Sequence, residues 1–226
     1  MTLGLFDQFS TPYMLGMPLL LFALLFPMLI IYPPSRILLN RLAMLQTWFS
    51  LSLPKHLLQL TPTQAHPWGL PLLSTAQLLI LLNLLGLLPY TFTPTTQLAL
   101  NLALALPFWI ATILLGCRNQ PTSSLAHLLP QGCPTPLIPA LILIETASIF
   151  IRPLALGVRI TANLTAGHLL IMLVSTATML LLTAFPLTTP LAWILLLLLT
   201  GLELAVAMIQ AYVFVLLLTL YLQENF

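Results

Sequence analysis

Arg159, Glu145, His168 and Glu203 stand in stretches that are otherwise almost wholly apolar. The chain of 226 residues holds only four Asp/Glu and six Lys/Arg. A charge at the centre of a bilayer costs about 2.5–3.5 kcal/mol on insertion scales and more by simulation. A sequence that has shed almost every charge and keeps these is expected to use them, and the chemistry they offer is an ion or proton path. Histidine and glutamate take up and release protons near neutral pH when their surroundings shift them. Arginine cannot, because its pKa exceeds 12. Arg159 is therefore a fixed positive charge. Such a charge draws a proton off a passing carboxylic acid by stabilising its anion, and it blocks direct proton flow between two wet cavities.

Spacing arranges these groups. At 100° per residue, Glu145, Ser148, Arg152, Arg159 and Asn163 fall within an arc of about 60° on one helix face. His168 lies about 180° from Arg159. Glu203 and Gln210 are seven apart and share a face of the next helix. If the two helices form a hairpin centred near Pro186, His168 is about 18 residues before the centre and Glu203 about 17 after, so they lie at nearly one depth. The same count brings Arg159 to within about 5 Å of the level of Gln210. The expected pairs are His168 with Glu203, and Arg159 with Gln210, whose amide bonds the guanidinium without neutralising it. Plainer readings stand beside these. Arg159 can be a structural ion pair with Glu145 or Glu203, Glu145 can snorkel to an interface, and His168 beside Gly167 can simply pack. Gly157, Gly167 and Gly201 suit close helix packing, and Arg152 before Pro153 can be structural.

The elements that carry these residues must be membrane helices. The composition is 60% hydrophobic and 4% charged, with a net charge of +2, against roughly 25% charged in soluble domains. Lipid is the main solvent of such a chain. Its few scattered cations make no phosphate-binding patch, which excludes nucleic acid as a partner. Cys117 and Cys133 form neither a CxxC nor a metal set and leave at most a thiol pair. Met1 to Ser10 has no basic region and contains Asp7, so the chain is expected to insert through its own hydrophobic segments rather than a leader.

A crossing takes about 20 apolar residues. Five stretches qualify: 14–31, 70–88, 98–115, 137–182 and 191–222. Pro107 and Pro153 are expected to kink helices rather than end them. Residues 35–53, with Arg36, Asn40, Arg41, Gln46 and Trp48 among leucines, read as an amphipathic helix lying in the interface. His56, His66 and His127 read as wet loop residues. The sequon at Asn163 lies inside a membrane helix and is set aside. The expected fold is a single all-α integral membrane domain, with about five crossing helices plus one interfacial helix. Its last two helices make a long tilted antiparallel hairpin, because 137–182 would be about 69 Å long against a hydrocarbon core of about 30 Å. Arg36, Arg41, Lys55 and Arg118 put the first and third connections inside. The N-terminus is then outside and the C-terminus inside, with Glu145 near the inner face, His168 and Glu203 toward the outer turn, and Arg159 between.

At these residues the chain resembles subunit a of the F-type ATP synthase. The matching stretches are GVRITANLTAGHLL (157–170), LLLTGLELAVAMIQAYVF (197–214) and LILIETASIFIRPLAL (141–156). The likeness extends more weakly to the LFDQF start and the PPSR after the first helix, and length and opening are similar to the vertebrate mitochondrial form. Bacterial members exchange glutamate and histidine between the positions of His168 and Glu203. The resemblance implies a proton-channel stator in the mitochondrial inner membrane, beside a rotating c-ring and other membrane-sector subunits. Protons would enter past Glu203 and His168, load a c-ring carboxylate, and leave past Glu145, with Arg159 separating two half-channels and Asn163 and Gln210 along the path. It implies no cofactor, no metal and no catalysis by the chain alone. In keeping with this, no GxxxxGK[ST] nucleotide loop occurs.

Rival readings are weaker. A stand-alone transporter usually shows internal repeats with matched broken helices, whereas the polar residues here cluster in the last third. An inert anchor subunit would pair its buried ions. An intramembrane hydrolase would need HExxH or GxSxG, and neither occurs.

Overall fold

The computed structural model describes residues 4, 9–14, 16–31, 40–58, 63–88, 91–119, 121–122, 138–185 and 187–225. After a two-stranded antiparallel ribbon, β1 (Tyr13–Met14) and β2 (Met17–Pro18), come six α-helices among the described residues. These are α1 (Leu19–Ile31), α2 (Arg41–Leu58), α3 (Gly69–Gly86), α4 (Leu98–Asn119), α5 (Ile138–Ala184) and α6 (Thr189–Asn225). Gly16, with φ of 78°, supplies the left-handed turn of the ribbon. Short 3-10 turns, Thr63–Trp68 and Pro94–Thr96, lead into α3 and α4.

Among the described residues, four helices are long and apolar enough to cross a membrane, consistent with an all-α membrane protein. The first expected crossing differs. Its helix holds 13 residues, about 20 Å, because the chain before Leu19 folds back as the ribbon. The expected interfacial helix also shifts: the described helix runs on past position 53 to Leu58, so that Lys55 and His56 lie in its last turn rather than in a loop. There the Lys55 ammonium lies near the negative end of the helix dipole. His66 is exposed in a 3-10 turn. Residues 35–39, Cys133, His127 and Pro186 lie outside the described residues. Cys117 is exposed and has no disulfide partner among the described residues.

The 47 residues of α5 form one helix through Pro153, and the 37 of α6 return antiparallel after a short turn. In that turn Phe185 N donates to Leu181 O and Thr188 N to Phe185 O. α3 packs on α6 and α4 on α5, closing a four-helix group with α1 and α2 against α3. Its core is Leu72, Ala76 and Leu79 of α3, Ala105 of α4, Leu156, Ile160 and Leu164 of α5, and Ala207, Ala211, Phe214, Val215, Leu218 and Leu222 of α6. The small residues Ala76, Ala105, Ala207 and Ala211 let the backbones approach. Hydroxyls such as those of Thr75, Thr112, Ser148, Thr165 and Thr219 donate to carbonyls three or four residues back on their own helices. That satisfies them where no water is at hand.

Candidate functional site

Glu203 of α6 turns inward, 4% exposed, and its Oε1 lies 3.7 Å from Nδ1 of His168 on α5. That distance is too long for a hydrogen bond, and among the described residues Glu203 Oε1 and His168 Nε2 are both buried without a partner. A shift of about 1 Å would join the two groups. The pair expected from hairpin depth is thus brought together but not locked.

Gly167 makes this placement possible. A Cβ there would stand 2.8 Å from Glu203 Oε1, so any side chain would displace the carboxyl. A cleft of about 320 Å³ runs beside the pair, lined by Asn163, Ala166, Gly167, Leu170, Leu199 and Glu203. Asn163, Ala166 and Leu170 are exposed, so the cleft opens at the surface of the hairpin.

Gln210 is buried, and its Oε1 accepts from Asn163 Nδ2 at 2.9 Å. The expected contact of Arg159 with Gln210 is not made. The hairpin register gives the reason. Asn163 stands roughly 23 residues before position 186 and Gln210 roughly 24 after, so Asn163 occupies the level assigned to Arg159. Arg159 lies one turn farther from the tip, exposed on the outward face with Leu154, Val158, Ala162 and Asn163. Among the described residues it makes no hydrogen bond and no ion pair. It is a bare guanidinium on an apolar surface, not the structural ion pair that was the plainer alternative.

At the open end of the hairpin, Glu145 lies 3.9 Å from Arg152 Nη2. Arg152 Nη1 donates to Glu224 Oε2 of α6 at 2.7 Å, and its Cζ sits 5.5 Å from the ring centroid of Tyr221. Glu145 is about 21 Å along α5 from Arg159, and His168 about 14 Å on the other side. The ionisable groups therefore form three stations along one hairpin. Among the described residues no group of His, Cys, Asp or Glu could hold a metal ion.

The family pattern of the ATP synthase A chain matches residues 11–223. The chain belongs to that family. It is 63% identical to the ATP synthase F(0) complex subunit a of Struthio camelus over the whole length of both chains. It is 60% identical to the one of Salmo salar, again over both whole chains. With the one of Tropidurus hispidus, identity is 61% over 93% of this chain and all of the other.

Within this member of the ATP synthase A chain family, sequence reasoning overlooked two features. Asn83 of α3 is 1% exposed and donates Nδ2 to the Ala207 carbonyl of α6 at 3.1 Å. Its signal was a lone amide in the run LLILLNLLGLL. The Arg152–Glu224 contact was hidden because Glu224 reads as a polar tail after the last apolar run.

Proposed function

We propose that this chain is the proton-conducting stator of the membrane sector of a rotary ATP synthase. Two offset half-channels would load and unload a carboxylate on a neighbouring c-ring, so that proton flow drives rotation and ATP synthesis by a distant catalytic head. The reading places the chain in the mitochondrial inner membrane, in lipid and beside other stator subunits. Arg41 and Lys55 on α2 and Arg118 at the end of α4 favour the matrix for those segments. α5 then starts and α6 ends on the matrix side, the hairpin tip faces the intermembrane space, and a crossing by the first segment puts the N-terminus there too.

The observation that carries the reading is Arg159: a permanently charged group, exposed and, among the described residues, unpartnered on an apolar helix face, between two carboxylate stations. An exposed cation in hydrocarbon needs a compensating partner, and a carboxylate passing on a moving surface supplies one. His168 and Glu203 are the entry pair, Asn163 and Gln210 lie between them and Arg159, and Glu145 is the inner exit. The relatives' name, an F(0) complex subunit, supports the same role and a non-catalytic one.

The test is ATP-driven proton pumping by vesicles holding the assembled complex. Arg159→Ala and Arg159→Gln are expected to abolish it with assembly intact. Arg159→Lys also fails, since a desolvated lysine can shed its proton and lacks the guanidinium fork. Near wild-type pumping by Arg159→Gln would sink the reading and favour an inert anchor.

A further inference from the structure

We propose that Glu224 holds the Arg152 guanidinium off Glu145 and so keeps the Glu145 carboxyl free to pass protons at the open end of the hairpin. The proposal rests on the reading of Glu145 as the inner proton carrier. Arg152 and Glu224 act through Glu145 and are positioning residues.

The geometry is a competition of two carboxylates for one cation. Arg152 stands two turns after Glu145 on the same face of α5 and comes within 3.9 Å of it. Its close contact nevertheless goes to the other helix, 2.7 Å to Glu224 Oε2, while Glu145 Oε1 stays at 3.9 Å. Tyr221, one turn before Glu224, offers its ring face to the guanidinium at 5.5 Å, which favours the α6 side. All three charged side chains are between a third and three-fifths exposed. Such wet pairs add little stability and exchange readily, so the cluster is suited to setting the state of a neighbour rather than to holding the fold. Without Glu224, the two-pronged guanidinium can turn wholly to Glu145. A carboxylate gripped by two charge-assisted hydrogen bonds cannot accept a proton without breaking them.

A mere structural clasp and this competition differ in the sign of one double substitution. In vesicles holding the assembled complex, Glu224→Gln is expected to slow ATP-driven pumping about two- to fivefold, the scale of one half-exposed ion pair. Adding Arg152→Gln removes the cation that grips Glu145 and restores the rate to near wild type. A double variant no faster than Glu224→Gln overturns the proposal, because a broken clasp is not mended by removing its other half. Wild-type pumping by Glu224→Gln overturns it too. Where Glu224→Gln does not assemble, Glu224→Asp keeps the charge and shortens its reach. It is expected to give the same order of rates, and wild-type pumping by it is equally fatal. Glu145→Gln run in parallel separates the premise. Unimpaired pumping there retires the exit reading and the proposal with it, whereas a slow Glu145→Gln beside a fast Glu224→Gln retires the proposal alone.

Discussion

Toward the tip of the α5–α6 hairpin, Glu203 is buried, and among the described residues it meets no Lys or Arg, lies beside the His168 imidazole, and leaves Oε1 unpaired. Toward the open end, Glu145 is half-exposed beside a guanidinium that it shares with Glu224. The same two helices thus offer one carboxyl an enclosed pocket and another a wet ion cluster. The difference lies in which face each uses. Glu203 points into the bundle, where Gly167 leaves room for it, while Glu145 and Arg152 lie along the side of α5 on the stripe that also carries Arg159. An enclosed group depends on the shape of its pocket. A wet one depends on its neighbours' charge.

The largest effect should come from the pocket. Gly167→Val would put branched carbon where the Glu203 carboxyl lies, and pumping should fall more than about tenfold, as for an overpacked core. Gly167→Ala should do less, since only the carboxyl tip need move. Equal pumping by Gly167→Val and wild type would mean that the enclosed geometry has no role.

Accessibility sharpens the contrast next. In a background without Cys117 and Cys133, cysteines at 168 and 203 should react with an impermeant thiol reagent added on the tip side, and a cysteine at 145 only from the opposite side. Intramembrane ionisable groups need water or a partner, and a proton path needs water up to its carriers. Silence of all three positions from both sides would favour an inert anchor. Labelling of 145 from the tip side, with 203 silent, would mean that the chain is inverted.

Breaking the amide pair between the two stations should matter less. Asn163→Ala leaves the Gln210 Oε1 without its donor, a loss of about 1–3 kcal/mol if no other partner replaces it. Pumping should slow several-fold with assembly retained, and Asn163→Ser should recover part of it. The smallest effect belongs to Asn83→Ala, which removes one bond to the Ala207 carbonyl. Stability should drop by about 1 kcal/mol, visible as a lower unfolding midpoint in detergent, with little change in pumping.

Much of this was legible in the sequence, for particular reasons. The helices α3 to α6 stand out because long apolar runs have no other fate in a chain with so few charges. His168 and Glu203 were paired by counting from the turn, since an antiparallel hairpin fixes depth. The partner of Gln210 was missed by one turn because the count left Arg159 about three residues off the level of Gln210, whereas Asn163, on the same stripe, stands within about one residue of it and takes the contact. Gly167 read as a packing glycine, and nothing in its neighbours showed that the packed group would be a carboxyl from α6. The shortened α1 was hidden as well, since Tyr13 to Pro18 is apolar enough to pass for the start of a crossing, yet Tyr13–Met14 pairs with Met17–Pro18 as a ribbon.

One consequence follows from the unbroken length of α5. Its 47 residues make about 70 Å of helix, set in a hydrocarbon layer of about 30 Å. Held within that layer, each residue gains only about 0.6 Å of depth instead of 1.5 Å. The steps from Arg159 to His168 would then span about 6 Å of depth, and water reaching His168 from one face would come that close to the arginine's level. Membrane voltage contributes roughly 2.3 kcal/mol per charge per 100 mV whatever distance it falls across. Dropped over about 6 Å rather than 30 Å, it would become a field about five times steeper at the level of the fixed guanidinium.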